Sequence, residues 1–416
     1  MPANKRVVIL GGGIGGLEVA TSLRHKRNVS VTLVDQNPVH IWKPALHEFA
    51  AGTIEHSGNL FSFIELSKRF GFDFIQSTPE AVERDKRQVR LANGQSIPYD
   101  YLIAALGARA NDFGTRGAEE YCLFLNTLHD ADTLHARFRD GLLNAKKTGK
   151  PLQFSIVGGG ATGIQLAAEL CQAVDSTPGL GVEARHSLLR PTLIEAMDRL
   201  IPAFPTSVSE EAKAELEKLG FDVITNDVVT QVDGDAIHLK SGRIIPSTLS
   251  IWAAGVKASQ ATSLFEGLEL GRSGQLMVTP MLRATKDPSI FAIGDCARME
   301  KDPVAPTAQA ARQQGRYLGR IALPYLLTGR TPPSFSYQDR GAVVALGNYN
   351  AWGMWPSKKG FGGHGVGAYF ARFIHEGLFR QHQYGLVGIC KTLRVTLNEH
   401  FYHHADLVAP GTPSSR

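Results

Sequence analysis

The stretch Val7-Val8-Ile9-Leu10-Gly11-Gly12-Gly13-Ile14-Gly15-Gly16 sets an unbroken apolar run directly before a GxGxxG turn. Leu17, Ala20 and Leu23 follow at helical spacing, so the segment reads as strand, glycine turn and helix. The pattern returns at Phe154-Ser155-Ile156-Val157-Gly158-Gly159-Gly160-Ala161-Thr162-Gly163, with Ile164, Leu166, Ala167 and Leu170 behind it. A single such turn is a weak signal. Two, each with a strand before and a helix after, describe two Rossmann-like units in an α/β chain.

The likeness continues downstream of both turns. A second strand at 29–34 ends in Asp35, and its counterpart at 192–194 ends in Glu195. Each block then runs through short strands with an Asn-Gly or Ser-Gly turn. The first closes on a strand at 101–106, which includes Ala105, followed by Gly107; the second closes on a strand at 249–254 and Gly255. Residues 112–150 read as a polar, partly helical connection. Residues 175–186 read as a polar excursion, which explains why Glu195 lies farther from Gly158 than the usual ~20 residues.

The chemistry follows from the turns. Gly11 and Gly158 permit the tight bend, and Gly13 and Gly160 let a pyrophosphate approach the backbone. Gly16 and Gly163 let helix pack on strand, with Gly15 and Thr162 in the first helical turns. The helix N-termini offer free N–H groups to an anion. Asp35 and Glu195 stand where a carboxylate accepts ribose hydroxyls, and an acid repels a 2′-phosphate, so Glu195 favours NADH over NADPH. Two dinucleotide sites in one chain suggest one bound flavin and one exchanging nicotinamide, the outfit of an electron-transfer enzyme.

Composition narrows the class. With 416 residues, 43% hydrophobic and 20% charged, the chain is globular and long enough for two or three domains. The 43 glycines exceed the usual share of about 7% without any collagen period. The net charge of +5 resides in residues 340–416, which hold eight Lys/Arg and three Asp/Glu, while the remainder is balanced. A neutral body excludes a broad nucleic-acid surface, and the basic tail suits an acidic partner or membrane. Cys122, Cys171, Cys296 and Cys390 lie far apart, without dithiol or metal spacing. His47-Glu48 lacks the second His of a zinc helix, and His400, His403 and His404 read as solvated, so no metal is expected. No signal peptide and no run of about 18 apolar residues is visible.

The sequence resembles the two-dinucleotide-binding flavoproteins and, among them, the type II NADH:quinone dehydrogenases. The likeness spans nearly the whole chain. It is carried by Val39-His40-Ile41-Trp42-Lys43-Pro44, both glycine turns, Trp252-Ala253-Ala254-Gly255, Ala292-Ile293-Gly294-Asp295-Cys296-Ala297, Pro306-Thr307-Ala308-Gln309-Ala310-Ala311 and the stretch 367–393. It implies an FAD domain (1–115 and 271–335), a helical connection (116–150), an inserted NADH domain (151–270) and a C-terminal region (336–416). The implied cofactor is tightly but non-covalently bound FAD, with NADH as substrate and ubiquinone or menaquinone as acceptor. By match, Asp295 would bind the ribityl chain, Ala308 and Gln309 would face the flavin's pyrimidine edge beside the quinone, and Lys43 would lie near the flavin. Pro306 suits the first turn of a helix over 307–323, whose N-terminus would favour negative charge on the reduced ring.

One position departs from the family. The second turn usually continues with Glu, and here it reads Thr162-Gly163-Ile164-Gln165. The resemblance implies for that Glu a place among nicotinamide, flavin and quinone and a part in proton delivery. Gln keeps the shape and the hydrogen bonds but exchanges no proton near pH 7. Gln165 and Gln309 are therefore the catalytic candidates. The expectation is that NADH still reduces the flavin while quinone turnover or its pH profile is altered. Glu169, one turn on, is a substitute candidate for that role, with a structural part as the alternative reading.

The tail repeats apolar residues at helical spacing: Phe370, Ile374 and Leu378, then Leu386, Val387, Ile389, Leu393 and Leu397. Arg372, His375, Arg380, His382, Lys391 and Arg394 lie between them. The pattern alone fits packed or dimer-forming helices as well as an amphipathic pair on anionic lipid. The resemblance implies the membrane through residues 366–400, on the cytoplasmic face of a bacterial inner membrane, and a homodimer. Rival readings are a sulfide:quinone or other flavin-dependent NAD(P)H reductase, and an NADH-sensing flavoprotein.

Overall fold

A computed structural model describes residues 4–24, 26, 28–363, 365–402 and 407, with the side chains of 398–402 excepted. Contacts divide the chain into two units. The first comprises Met1–Lys43, Leu60–Arg109 and Val256–Gln338; the second comprises Pro44–Asn59, Ala110–Gly255 and Asp339–Arg416.

The first unit is built on an eight-stranded sheet. Its centre is parallel: Lys5–Leu10 lies between Val29–Asp35 and Tyr101–Ala104, with Val8 opposite both Thr32 and Leu102. Val7 through Leu10 are all buried, as a strand covered on both faces requires. Asp73–Gln76 extends one side and Asp287–Ala292 the other. The helices Ile14–Ser22 and Ala308–Tyr317 pack together, and Pro79–Glu83, Gln88–Leu91 and Ser96–Pro98 form a separate meander.

The second unit has a five-stranded parallel sheet in the order Cys122–Phe124, Leu249–Trp252, Leu152–Val157, Leu189–Ile194, Asp222–Ile224. Its meander is Val229–Val232, Ala236–Leu239 and Ile244–Pro246. The glycine-loop helix Ala161–Ser176 packs against the short helix Leu46–Ala51, which also packs on Leu128–Thr148. The expected excursion at 175–186 in fact carries a helix, Val182–Leu188, pinned by the buried Arg185 to Asp175 at 2.8 Å.

The C-terminal part holds more than helices. Ala342–Leu346, Asn350–Met354 and Gly360–Gly362 form an antiparallel sheet, against which the long helix Gly365–Val387 packs. A second helix, Ile389–Tyr402, follows. No helix among the described residues is long and apolar enough to cross a membrane. The side chain of His400, together with His403, His404 and the tail from 409, lies outside the described residues.

Candidate active site

In the first unit, Gly11 adopts φ +102°, and a Cβ there would strike the carbonyl oxygen of Ala105. A Cβ on Gly16 would overlap the oxygen of Gly11, whereas one on Gly13 would meet nothing within 4 Å. Of these three glycines, only Gly13 leaves open space beside the turn. The N–H of Gly12 donates to Oδ2 of Asp35 at 2.7 Å, and Oδ1 accepts from the backbone of Asn37 at 2.8 Å. The carboxylate is oriented from two sides.

The other flavin-side candidates share this unit. Asp295 sits in the short turn Gly294–Cys296 at the end of the buried strand Asp287–Ala292. Burial pushes its carboxyl up, the ammonium of Lys43 opposes that shift, and no hydrogen bond among the described residues satisfies it. A partly buried acceptor left open is what a sugar or ribityl hydroxyl requires. Lys43 donates through Nζ to the carbonyl of Ala108, at 2.6 Å, just past Gly107, which has φ +65°. Ala308 and Gln309 are the first two residues of Ala308–Tyr317, which Thr307 caps by accepting the N–H of Ala310 at 3.1 Å. Thr307 is therefore the cap, and Pro306 precedes it rather than standing in the first turn as expected. The helix is also interrupted by a wider π-type turn over Leu318–Ala322. Gln309 accepts from Gln313 at 3.4 Å.

Two supporting residues had no assigned role. His40 is buried and donates its Nδ1–H to the carbonyl of Gly12 at 2.7 Å, and burial pushes it down to about 4, so the ring is neutral. Gln314 accepts the N–H of Gly294 at 2.6 Å, tying the Asp295 turn to the helix that bears Gln309. His40 was visible within its motif, but nothing in one sequence distinguishes such a brace from its neighbours.

The second unit repeats the arrangement. Gly158 has φ +115°, a Cβ on Gly163 would overlap the oxygen of Gly158, and a Cβ on Gly160 would meet nothing within 4 Å. The N–H of Gly159 donates to Oε2 of Glu195 at 2.6 Å, and Met197 donates to Oε1 at 2.8 Å. Thr162 is exposed in the first turn of Ala161–Ser176, and Gly255 follows the strand Leu249–Trp252 with φ +66°. The long spacing before Glu195 is thus absorbed outside the site.

Gln165 and Glu169, one turn apart on Ala161–Ser176, are both buried. Gln165 contacts His375 through Nε2 at 3.2 Å, and Glu169 accepts the hydroxyl of Thr53 at 2.5 Å. Burial pushes Glu169 up to about 7, with the Thr53 hydrogen bond and then Arg372 opposing. A carboxyl with its proton affinity raised toward neutrality is compatible with proton exchange as well as with a structural part, the two readings of Glu169 drawn from the sequence. Cys171 and Cys296 are buried thiols, pushed up to about 12 and about 11.

The chain is similar over most of its length to known proteins. Residues 5–315 match the family model described as pyridine nucleotide-disulphide oxidoreductase. A type II NADH:quinone oxidoreductase of Haemophilus influenzae is 36% identical over 93% of this chain and 95% of its own length. The enzyme of the same name from Staphylococcus aureus is 29% identical over 84% and 89%. Among solved structures, NDH2 from Plasmodium falciparum in complex with NADH superposes with TM-score 0.83 at 20% identity, covering 96% of this chain and 99% of that one. The sulfide:quinone oxidoreductase of Aquifex aeolicus gives 0.74 at 18% identity, covering 99% and 100%, so these likenesses speak for the fold alone. The chain belongs to the pyridine nucleotide-disulphide oxidoreductase family and, within it, to the type II NADH:quinone oxidoreductases.

Proposed function

We propose that the chain oxidises NADH and reduces a membrane quinone through tightly held, non-covalent FAD, by the balance NADH + H⁺ + quinone → NAD⁺ + quinol. The observation that carries this reading is the duplicated turn. In each unit an N–H of the glycine loop holds an acid (Gly12 on Asp35, Gly159 on Glu195) beside a glycine left with open space (Gly13, Gly160). When bound, the flavin supplies the two-electron exchange. The residues supply placement. Asp35 and Asp295 accept sugar and ribityl hydroxyls, Gly13 admits the pyrophosphate, and the helix end at Ala308 and Gln309 favours negative charge at the pyrimidine edge. Glu195 and Gly160 do the same work for NADH, and the acid disfavours a 2′-phosphate.

The acceptor reading draws on the C-terminal helices. Val366, Tyr369 and Phe373, at helical spacing, are 85%, 74% and 73% exposed, and Ile389, Leu393 and Leu397 continue an outward apolar face on the next helix. Of the apolar positions that recur at helical spacing, Phe370, Leu378, Ile389, Leu393 and Leu397 are exposed and Leu386 is buried, and Tyr369 and Phe373 widen the outward stripe. Lys391 and Arg394 accompany it, which suits a peripheral seat on anionic lipid at the cytoplasmic face of a bacterial membrane. A homodimer is compatible with the same region. Sulfide chemistry fits less well, because the buried Cys171 and Cys296 are held far from the thiolate form.

Steady-state NADH oxidation with a water-soluble quinone tests the assignment. A yellow protein that turns over with NADH and quinone supports it; a colourless protein, or one that is reduced once and stops, refutes it.

A further inference from the structure

The reaction above takes one proton from solution per turnover, because the hydride of NADH brings two electrons and one proton while a quinol holds two protons. Gln165 exchanges no proton, yet it is buried against a ring that does. An amide nitrogen only donates, so at 3.2 Å it faces the unprotonated Nε2 of His375, and the proton of that neutral ring sits on Nδ1. The amide has two faces. Once the ring is protonated, rotation of the amide presents Oε1 to the new Nε2–H, so the same partner serves both states. A carboxylate at 165 would serve the protonated ring alone and hold the proton there.

The surroundings of His375 disfavour its protonated form. Burial, and then the charge of Arg372 one turn back, hold His375 below the ordinary histidine value. His47, on Leu46–Ala51, is pushed down to about 3 by burial and then by His375. Glu169 lies on the helix of Gln165, one turn on, and Glu376 and Arg380 share the helix of His375. The three strands packed on that helix (Ala342–Leu346, Asn350–Met354 and Gly360–Gly362) carry no titratable side chain, and the following helix brings Cys390, Lys391 and Arg394.

We propose that His375 is the group through which this chain takes up the proton consumed in quinone reduction, with Gln165 as its positioning residue. The proposal rests on the reading of the chain as an NADH:quinone oxidoreductase. It transfers the proton-exchanging function from helix position 165 to a side chain on the C-terminal helix that touches it.

The test uses the full-length holoprotein and its Gln165→Glu, His375→Gln and Glu169→Gln variants. The ring of ¹³C-labelled His375 is titrated by NMR, and the NADH-reduced protein is mixed with a soluble quinone across pH. The quinone step is expected to slow as pH rises through the titration of His375. In Gln165→Glu both the ring titration and this falling limb move together to higher pH. In His375→Gln the limb disappears, and the quinone step slows at least about tenfold more than the NADH step. A limb that stays in place while the ring titration moves overturns the proposal. So does a wild-type profile in His375→Gln, or loss of the limb only in Glu169→Gln. If His375→Gln does not fold, Gln165→Glu still decides. A wild-type protein that NADH reduces but no quinone reoxidises refutes the enzymatic reading itself, and the proposal with it.

Discussion

Gly159 donates its backbone N–H to Oε2 of Glu195 at 2.6 Å, and the opposite oxygen is taken by Met197 at 2.8 Å. The acid is therefore held through both oxygens, and under the proposed function its remaining lone pairs accept ribose hydroxyls. Glu195→Ala should raise KM for NADH about tenfold and lower the NADH-to-NADPH ratio of kcat/KM by a similar factor. Steady-state kinetics with both nucleotides checks this, and an unchanged ratio would remove Glu195 from the nucleotide site.

Gly160 and Gly163 of the second loop should behave differently when substituted. Gly163→Ala drives a Cβ into the backbone of Gly158 and should destabilise the unit by several kcal/mol or prevent folding. Gly160→Ala has open space for its Cβ and should stay within about 1 kcal/mol of wild type. Under the proposed function it should nevertheless weaken NADH binding, since the methyl would occupy the space assigned to the pyrophosphate. Melting temperatures set beside NADH affinities separate a packing glycine from a binding one.

Much of this was legible in the sequence because the turn chemistry is local. Gly11, Gly16, Gly158 and Gly163 each face a backbone oxygen or carbon that a Cβ would hit, and such a need marks the sequence at fixed offsets. The contacts of Glu169 and His375 were not legible. Thr53 lies on a segment 116 residues before Glu169, and His375 lies 210 residues beyond Gln165, so only the packing of Leu46–Ala51 and Ala161–Ser176 and the return of the C-terminal helix bring them together. The small sheet at 342–362 was missed for a related reason. Its strands are short and rich in Ala and Gly, so they carry little of the alternation that marks a strand.

Glu169 makes a pH prediction with a definite sign. Its folded value, about 7, lies above the ordinary 4.5, so the native state binds the extra proton between those values. Its contribution to stability is complete below about 4.5 and is lost as pH rises through about 7. Glu169→Gln cannot ionise, so its melting temperature relative to wild type should climb across that window. A constant difference across pH would contradict the assignment. His40 and His47, buried and neutral, act in the opposite direction, losing stability as pH falls below 6.5 toward about 4 and about 3.

Phe373 is 73% exposed on the outward stripe of Gly365–Val387. Phe373→Glu should leave the melting temperature within a degree or two and reduce co-sedimentation with anionic vesicles severalfold, since it removes apolar area and adds repulsion. Sedimentation with neutral vesicles separates the apolar from the electrostatic part. Equal vesicle binding by both proteins would assign this face to another partner.

In the proposed function, one chain carries electrons from NADH to quinone through a flavin. This is tested most directly by anaerobic titration of the purified protein with NADH, followed by addition of quinone. The protein is expected to be yellow, with a flavin that bleaches with about one equivalent of NADH and recovers its colour when quinone is added. A protein without flavin, or a reduced flavin that quinone leaves bleached, would contradict it.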